Sequence, residues 1–522
     1  MPSTHLLPII AHARAGALDH ALRLFHDAGL DTLDDDPAVL SLKGRLLKDQ
    51  ARRATGEARR ALYARSAEAY GAAGAINWAT YPLINAASLS LLAGESERAG
   101  ALAEKVLARL DRGDEEPDTP YWREATRAEA ELLLGRVHEA WLTLQDAIAL
   151  APKAWEDHAA TLRQFALILE EQGGDADWLE PMRPPRALYF AGQMGVDPAD
   201  AELPRQIAET LEAERVGFGF GALAAGADIV VAEALLSRGA ELHLVLPGGR
   251  EAFRAGSVAP TGGGWPERFD AVLDRADTVS VVGEDRLDRL SVRLAARVAM
   301  GRAAMQARLL STEAIQLVVP DEAEAAEAGG SGWARAVWRA AGRRTISHPA
   351  GRVRDPEASD RLAAPMGQPL AIIALDAGPA EDMADRLPAL WAGLDAAGIT
   401  SDIPPVWTGS ALLLGFETCR AAARAARAAA GSMGECRIAG DVGEIRETPA
   451  PGGPALRTGA PIKTAARLLA SVPSGAALVS DRFAAVLASE TDDPLCPCEP
   501  IGELPSRHPG GPDTPVFSLD VS

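Results

Sequence analysis

A chain of 522 residues holds about three to four domains of ordinary size, so a single core is excluded. An apolar fraction of 47% beside a charged fraction of 24% excludes disordered, collagen-like and disulfide-scaffold classes. With 52 Lys+Arg against 73 Asp+Glu the net charge is −21, which repels phosphate backbones and anionic membranes, so neither nucleic acid nor a membrane is an expected partner.

Only Cys419, Cys436, Cys496 and Cys498 carry sulfhydryls, too few and too clustered for a secreted disulfide framework, which predicts a reducing, cytoplasmic setting. Cys496 and Cys498 lack a second His or Cys pair at zinc spacing. The apolar run Leu6–Ile10 is shorter than a signal-peptide core and no other stretch reaches transmembrane length, so a soluble, non-exported chain is expected.

Residues 1–180 are rich in Ala, Leu, Glu and Arg with apolar positions at helical spacing, which predicts an all-helical segment. Gly16, Gly94 and Gly135 each precede a small residue, Ala21, Ala99 and Ala140, at one fixed offset. Each Gly would close one helix and each Ala would let the next pack closely, as in two-helix repeats of about 40 residues. The pattern resembles the tetratricopeptide repeat, without most of its aromatic positions. Leu42 to Asp49 and Tyr81 to Ala87 resemble the TRAFs-binding helical repeat segment, which implies a scaffold that binds a protein partner. The plainer alternative is that these helices only pack against neighbouring domains. Pro181 to Pro185 ends the helices.

From 186 to 321 short apolar runs alternate with amphipathic stretches: strands over 187–193, 242–247, 279–282 and 315–320, helices over 201–214, 232–238, 265–275 and 291–310. That alternation predicts a parallel, Rossmann-like sheet covered on both faces. Val216 to Asp228 carries Gly217, Gly219, Gly221 and Gly226 before a helix, a pattern open to two readings, tight-turn glycines or a phosphate cradle. Continued through Ala232–Gly239 to Leu244–Pro247, the string resembles the SLOG superfamily. The resemblance implies a nucleotide or nucleotide-derived ligand, with Gly219, Gly221, Gly226 and Asp228 as the ligand turn. Pro247-Gly248-Gly249 resembles a motif of that family's nucleotide-cleaving members, but Arg250-Glu251-Ala252 follows in place of their catalytic continuation.

Residues 322–368 read as a linker, with Trp333 and Trp338 among Arg335, Arg339, Arg343 and Arg344; a short amphipathic helix against the protein's own acidic surface is favoured over a nucleotide grip. Residues 369–490 read as an α/β sandwich with strands over 370–375, 411–416 and 436–445, and 491–522 as a Pro-rich, unstructured tail. Thr458 to Leu468 and Ser474 to Ala485 resemble the catalytic domain of class III nucleotide cyclases. The resemblance implies two metal-bridging aspartates, an Asn and an Arg at a dimer interface, with Mg²⁺ or Mn²⁺ needed only if the domain is active. Asp376 and Arg467 stand at two of these positions, but Ser410 replaces the second aspartate and Lys463 the Asn.

The fold expectation is therefore multidomain α plus α/β: a helical repeat solenoid, a central parallel-sheet Rossmann-like domain and a C-terminal cyclase-like α/β domain. The functional expectation is a cytoplasmic signalling protein, a homodimer, with an inactive cyclase homology domain. Its alternatives are an active divergent cyclase, a nucleotide N-glycosidic hydrolase and a pure scaffold.

Overall fold

The computed structural model describes residues 3–14, 16–113, 119–283, 286–321, 329–351, 367–376, 378, 380–450, 455–491, 498–505 and 513–521. These divide into two compact units, 1–184 with 309–311, and 185–308 with 312–522.

In the first unit the helix-forming composition gives α1 (Ser3–Arg14), α2 (Leu18–Asp27), α3 (Pro37–Arg53), α4 (Gly56–Asn77), α5 (Thr80–Leu92), α6 (Ser96–Arg112), α7 (Pro120–Leu133), α8 (Val137–Leu150) and α9 (Trp155–Gln172). Pro37 and Pro120 open α3 and α7, where a missing N–H costs nothing, and the side chains of Asp36 and Thr119 cap them. From α3 to α8 each helix packs on the next, and α5 also meets α7 and α7 meets α9, which makes a solenoid with the odd-numbered helices in one layer. Gly16, Gly94 and Gly135 all adopt positive φ at helix ends, and Ala21, Ala99 and Ala140 are fully or almost fully buried, as the repeat reading expects. Close approach has a second device at Gly44, where an added Cβ would lie 2.6 Å from the Tyr70 ring.

The second unit contains two sheets. The first is wholly parallel, with β1 (Arg186–Gly192), β2 (Val216–Gly221), β3 (Glu241–Pro247), β4 (Thr278–Val282), β5 (Ala314–Val319) and β6 (Thr345–Ser347) in the order β4-β3-β2-β1-β5-β6. Its helices are α10 (Glu202–Ala213), α11 (Ala227–Ser237), α12 (Arg250–Ser257), α13 (Trp265–Leu273), α14 (Arg289–Leu309) and α15 (Gly329–Ala340). The second sheet is mixed. It comprises β7 (Gln368–Asp376), β8 (Val406–Trp407), β9 (Leu412–Phe416), β10 (Arg437–Thr448), β11 (Leu456–Thr458), β12 (Ala477–Ser480), β13 (Cys498–Leu504) and β14 (Thr514–Leu519). Its order is β13-β14-β12-β10-β7-β9-β8, with β11 on β10, and α16 (Ala380–Ala396), α17 (Cys419–Met433), α18 (Ala460–Leu469) and α19 (Asp481–Glu490) as its helices.

Three expectations are corrected. Val216–Gly221 is not a turn but an interior strand, because its glycines serve packing: an added Cβ on Gly219 would lie 2.3 Å from Leu235. Part of the presumed linker is structured. The Trp338 ring of α15 is fully buried against Tyr189, its indole N–H donates to Arg344 O at 2.9 Å, and β6 joins the parallel sheet beside β5. Finally, the tail read as unstructured supplies the β13–β14 hairpin; Val516, Phe517 and Leu519 are buried, and β14 pairs with β12.

Candidate ligand sites

Strand β7 delivers Asp376 to one end of the mixed sheet, and the register Leu375↔Leu412 brings the β8–β9 turn with Ser410 to the same end. Across the antiparallel ladder Asp376 faces Arg437, whose guanidinium donates to its carboxylate; Gly378 N donates to the same carboxylate at 2.8 Å. Asp376 is thus neutralised by a neighbour that sequence reading missed, since nothing in the linear pattern links residues 376 and 437. Lys463 and Arg467 lie one turn apart on α18 but do different things. Arg467 donates to Leu504 O, Pro505 O and Thr514 Oγ1 at 3.2–3.4 Å, holding the β13–β14 hairpin, whereas Lys463 lines a cavity.

A pair of divalent ions needs bridging carboxylates. Here Asp376 is committed to Arg437 and Ser410 offers an exposed hydroxyl, so these residues do not fit a two-metal centre. No cluster of three or more His, Cys, Asp or Glu is placed for a metal among the described residues. Cys498 is half-buried on β13 and Cys496 lies outside the described residues.

At the glycine-rich segment, Gly221 faces the Phe190 ring at 2.6 Å from a would-be Cβ, and Gly226, at φ +99°, lies against the backbone of Gln193 to Val196. Asp228 turns inward: its carboxylate accepts from Gly192 N at 2.9 Å and Ala224 N at 3.1 Å. Burial pushes this carboxyl up to about 7, against the opposing pull of those two amides. Gly221, Gly226 and Asp228 gather at the carboxyl side of β1 and β2, whereas Gly219 lies mid-strand, and each has a structural employment where it stands.

A cavity of about 270 Å³ lies between the two sheets of this unit. Gly283, Arg286, Asp288 and Ser291 wall it from the loop after β4 and the start of α14; Glu444 and Arg446 of β10, Lys463 of α18 and Arg482 of α19 wall it from the mixed sheet. Pro247-Gly248-Gly249 has its role nearby. Gly248, at φ +70°, lets the Arg286–Leu287 backbone approach within 2.6 Å of where a Cβ would stand, fixing the loop that carries Arg286.

In the repeat unit, Ser88 of α5 donates to Glu129 of α7 at 2.5 Å, and Lys48 of α3 lies close enough to favour the ionised carboxylate. Burial pushes the Glu129 carboxyl up to about 7 and lowers the Lys48 ammonium. Residues 7–90 match the family Tetratricopeptide Repeats-Sensor. This sensor-repeat match includes Lys48 and Ser88 and ends within α5, before Glu129. The adenylyl cyclase CyaB from P. aeruginosa is similar to the chain at 12% identity over 29% of it and 93% of that protein, with a TM-score of 0.23. The guanylate cyclase domain of RhGC from Catenaria anguillulae is 12% identical over 30% of the chain and 98% of its own, TM-score 0.23. A mutant O-GlcNAc transferase from Thermobaculum terrenum is 13% identical over 69% of the chain and 67% of its own, TM-score 0.18. No curated protein matches the chain. No helix of the described residues is long and apolar enough to cross a membrane.

Proposed function

We propose that the chain is a cytoplasmic signalling or regulatory protein, a homodimer, in which sensor-type helical repeats bind a protein partner. The parallel-sheet domain, SLOG-like in its sequence, senses a nucleotide or nucleotide-derived ligand, and the cyclase-like domain is catalytically silent, serving dimerisation or output. The observation that carries the silent reading is the Arg437 guanidinium on Asp376: a carboxylate that would have to hold metal is already paired, and Ser410 supplies no second one.

The test is incubation of the purified chain with ATP or GTP and Mn²⁺ or Mg²⁺, followed by mass spectrometry of products and retained ligand. A retained nucleotide without cyclic product is the expected result. Cyclic product that disappears in Asp376→Asn would overturn the silent reading and make the chain a divergent cyclase.

A further inference from the structure

Away from the cavity, the seam between the two sheets of the second unit is tightly closed. Gly301 of α14 sits so near α19 that an added Cβ would lie 1.6 Å from Ala485 O. Arg302 pairs with Asp481 at 2.6 Å, Arg297 with Glu490 at 2.9 Å, and Arg343 donates to Ala488 O at 2.6 Å. The cavity opens at the amino end of α14, where four cations reach it. Three have carboxylates in hand: Arg286 with Asp288 at 3.7 Å, Arg446 with Glu444 at 3.2 Å, and Arg482 with the fully buried Asp441. Lys463 lines the same cavity with no hydrogen-bond or ion-pair partner among the described residues.

A carboxylate short of a donor lies on the facing strand. Glu444 Oε1 is buried and has no hydrogen-bond donor, a cost that native proteins rarely leave standing. Lys463, exposed and without an anion, and the Glu444 carboxylate, whose Oε1 is itself closed off from the open space, therefore wall one cavity. A single ligand carrying an anionic group for Lys463 and a hydroxyl for the Glu444 carboxylate, with that side chain turning its closed-off oxygen toward it, would engage both. Among the described residues four cations and two carboxylates line the cavity, a local positive excess in a chain of net charge −21. Among the described residues no aromatic side chain lines the cavity, so recognition there rests on charge and hydroxyls rather than on ring stacking.

We propose that this seam cavity binds a phosphorylated, hydroxyl-bearing small molecule, a sugar phosphate or the sugar-phosphate part of a nucleotide, with its phosphate on Lys463 and a hydroxyl donating to Glu444. This deepens the sensor reading and rests on it, while moving the ligand from the β2 end to the seam. Because the walls come from both sheets, occupancy ties the parallel-sheet domain to the cyclase-like one.

The test is isothermal titration of the full chain with inorganic phosphate, ribose 5-phosphate and AMP, repeated on Lys463→Glu, Glu444→Gln and Met194→Trp. Met194, half-buried, lies in the loop after β1 whose Gln193, Gly195 and Val196 backbone packs on Gly226, so its enlargement perturbs that loop and none of the cavity's lining residues. Circular dichroism checks that each variant folds. Ribose 5-phosphate or AMP should bind, at least about tenfold more weakly to Lys463→Glu and unchanged to Met194→Trp. Glu444→Gln should weaken both organic phosphates. AMP binding about tenfold tighter than ribose 5-phosphate assigns the site to nucleotides, and equal affinities assign it to sugar phosphates; both support the proposal. Inorganic phosphate binding as tightly as the organic probes overturns it. Binding lost in Met194→Trp but kept in Lys463→Glu overturns the seam site while leaving the sensor reading intact. No binding of any probe up to about 10 mM removes both.

Discussion

The segment around β2 and the seam cavity look alike in composition, since both join glycines to charged side chains, but they differ in whether their polar groups are already satisfied. Gly219 and Gly221 make room for Leu235 and Phe190, and Asp228 spends its oxygens on two backbone amides. The seam leaves the exposed Lys463 without an anion at a cavity and the buried Glu444 Oε1 without a donor in its wall. A glycine pattern therefore reports close approach without saying what approaches, whereas an unsatisfied buried atom points to a missing partner.

The strongest way to break this contrast is at the closed part of the seam. In an exposed helix Gly→Ala stabilises by up to about 1 kcal/mol, and Gly431→Ala in α17, with nothing within 4 Å of the new Cβ, should do so. Gly301→Ala should do the reverse and cost about 2 kcal/mol or more, because its Cβ meets the Ala485 carbonyl and α14 has to lift off α19. Urea denaturation of both variants checks the sign. Stabilisation by Gly301→Ala would mean that the two sheets do not dock through α14.

Asp228 gives a smaller effect with a pH signature. Its folded-state pKa lies above the ordinary 3.8, so the folded state binds this proton more tightly than the unfolded chain. The associated stability is present below about 4 and is lost as pH rises through about 7, by at most about 4 kcal/mol. Asp228→Asn replaces one accepted amide bond with a facing N–H and is destabilising at pH 5, by about 1–2 kcal/mol. That deficit should shrink between pH 5 and pH 8, as only the wild type pays for ionisation. A deficit that grows over this range would place the charged carboxylate in an open, ligand-ready position instead.

Most of the element order was legible. Apolar runs mark β1, β3, β4 and β5 to within a residue or two: β1, β3 and β5 are buried strands that leave nearly continuous apolar stretches, while the edge strand β4, with Val279 and Val281 exposed, is marked by its β-branched residues. The repeat glycines were legible because a positive φ at a helix end selects for them. What failed was position-dependent. β2 was hidden by glycines whose reason lies in Leu235 and Phe190, and β14 by the prolines around an otherwise apolar strand. The candidate site was less legible still. Asp376, Ser410, Lys463 and Arg467 could be named from a resemblance, but the pairing of Asp376 with Arg437 and of Arg482 with Asp441 depends on strand register. Glu444 carried no signal at all, since an unpaired oxygen exists only once the sheets have docked.

The smallest effect separates the two residues of α18 that the cyclase resemblance groups together. If Arg467 were poised for chemistry its guanidinium would be free, yet it donates three long bonds to the β13–β14 hairpin. Bonds of 3.2–3.4 Å at a half-buried position are weak, so Arg467→Ala should cost about 1 kcal/mol or less in global stability. The loss should be local. Among the described residues β13 pairs only with β14, so amide hydrogen exchange in Cys498–Leu504 should accelerate while β7 and β10, in the middle of the sheet, stay protected. Lys463→Ala, facing the cavity instead, should leave that exchange unchanged. Equal acceleration in both variants would show that α18 holds the hairpin as a whole, and the division of labour between its two cations would fall.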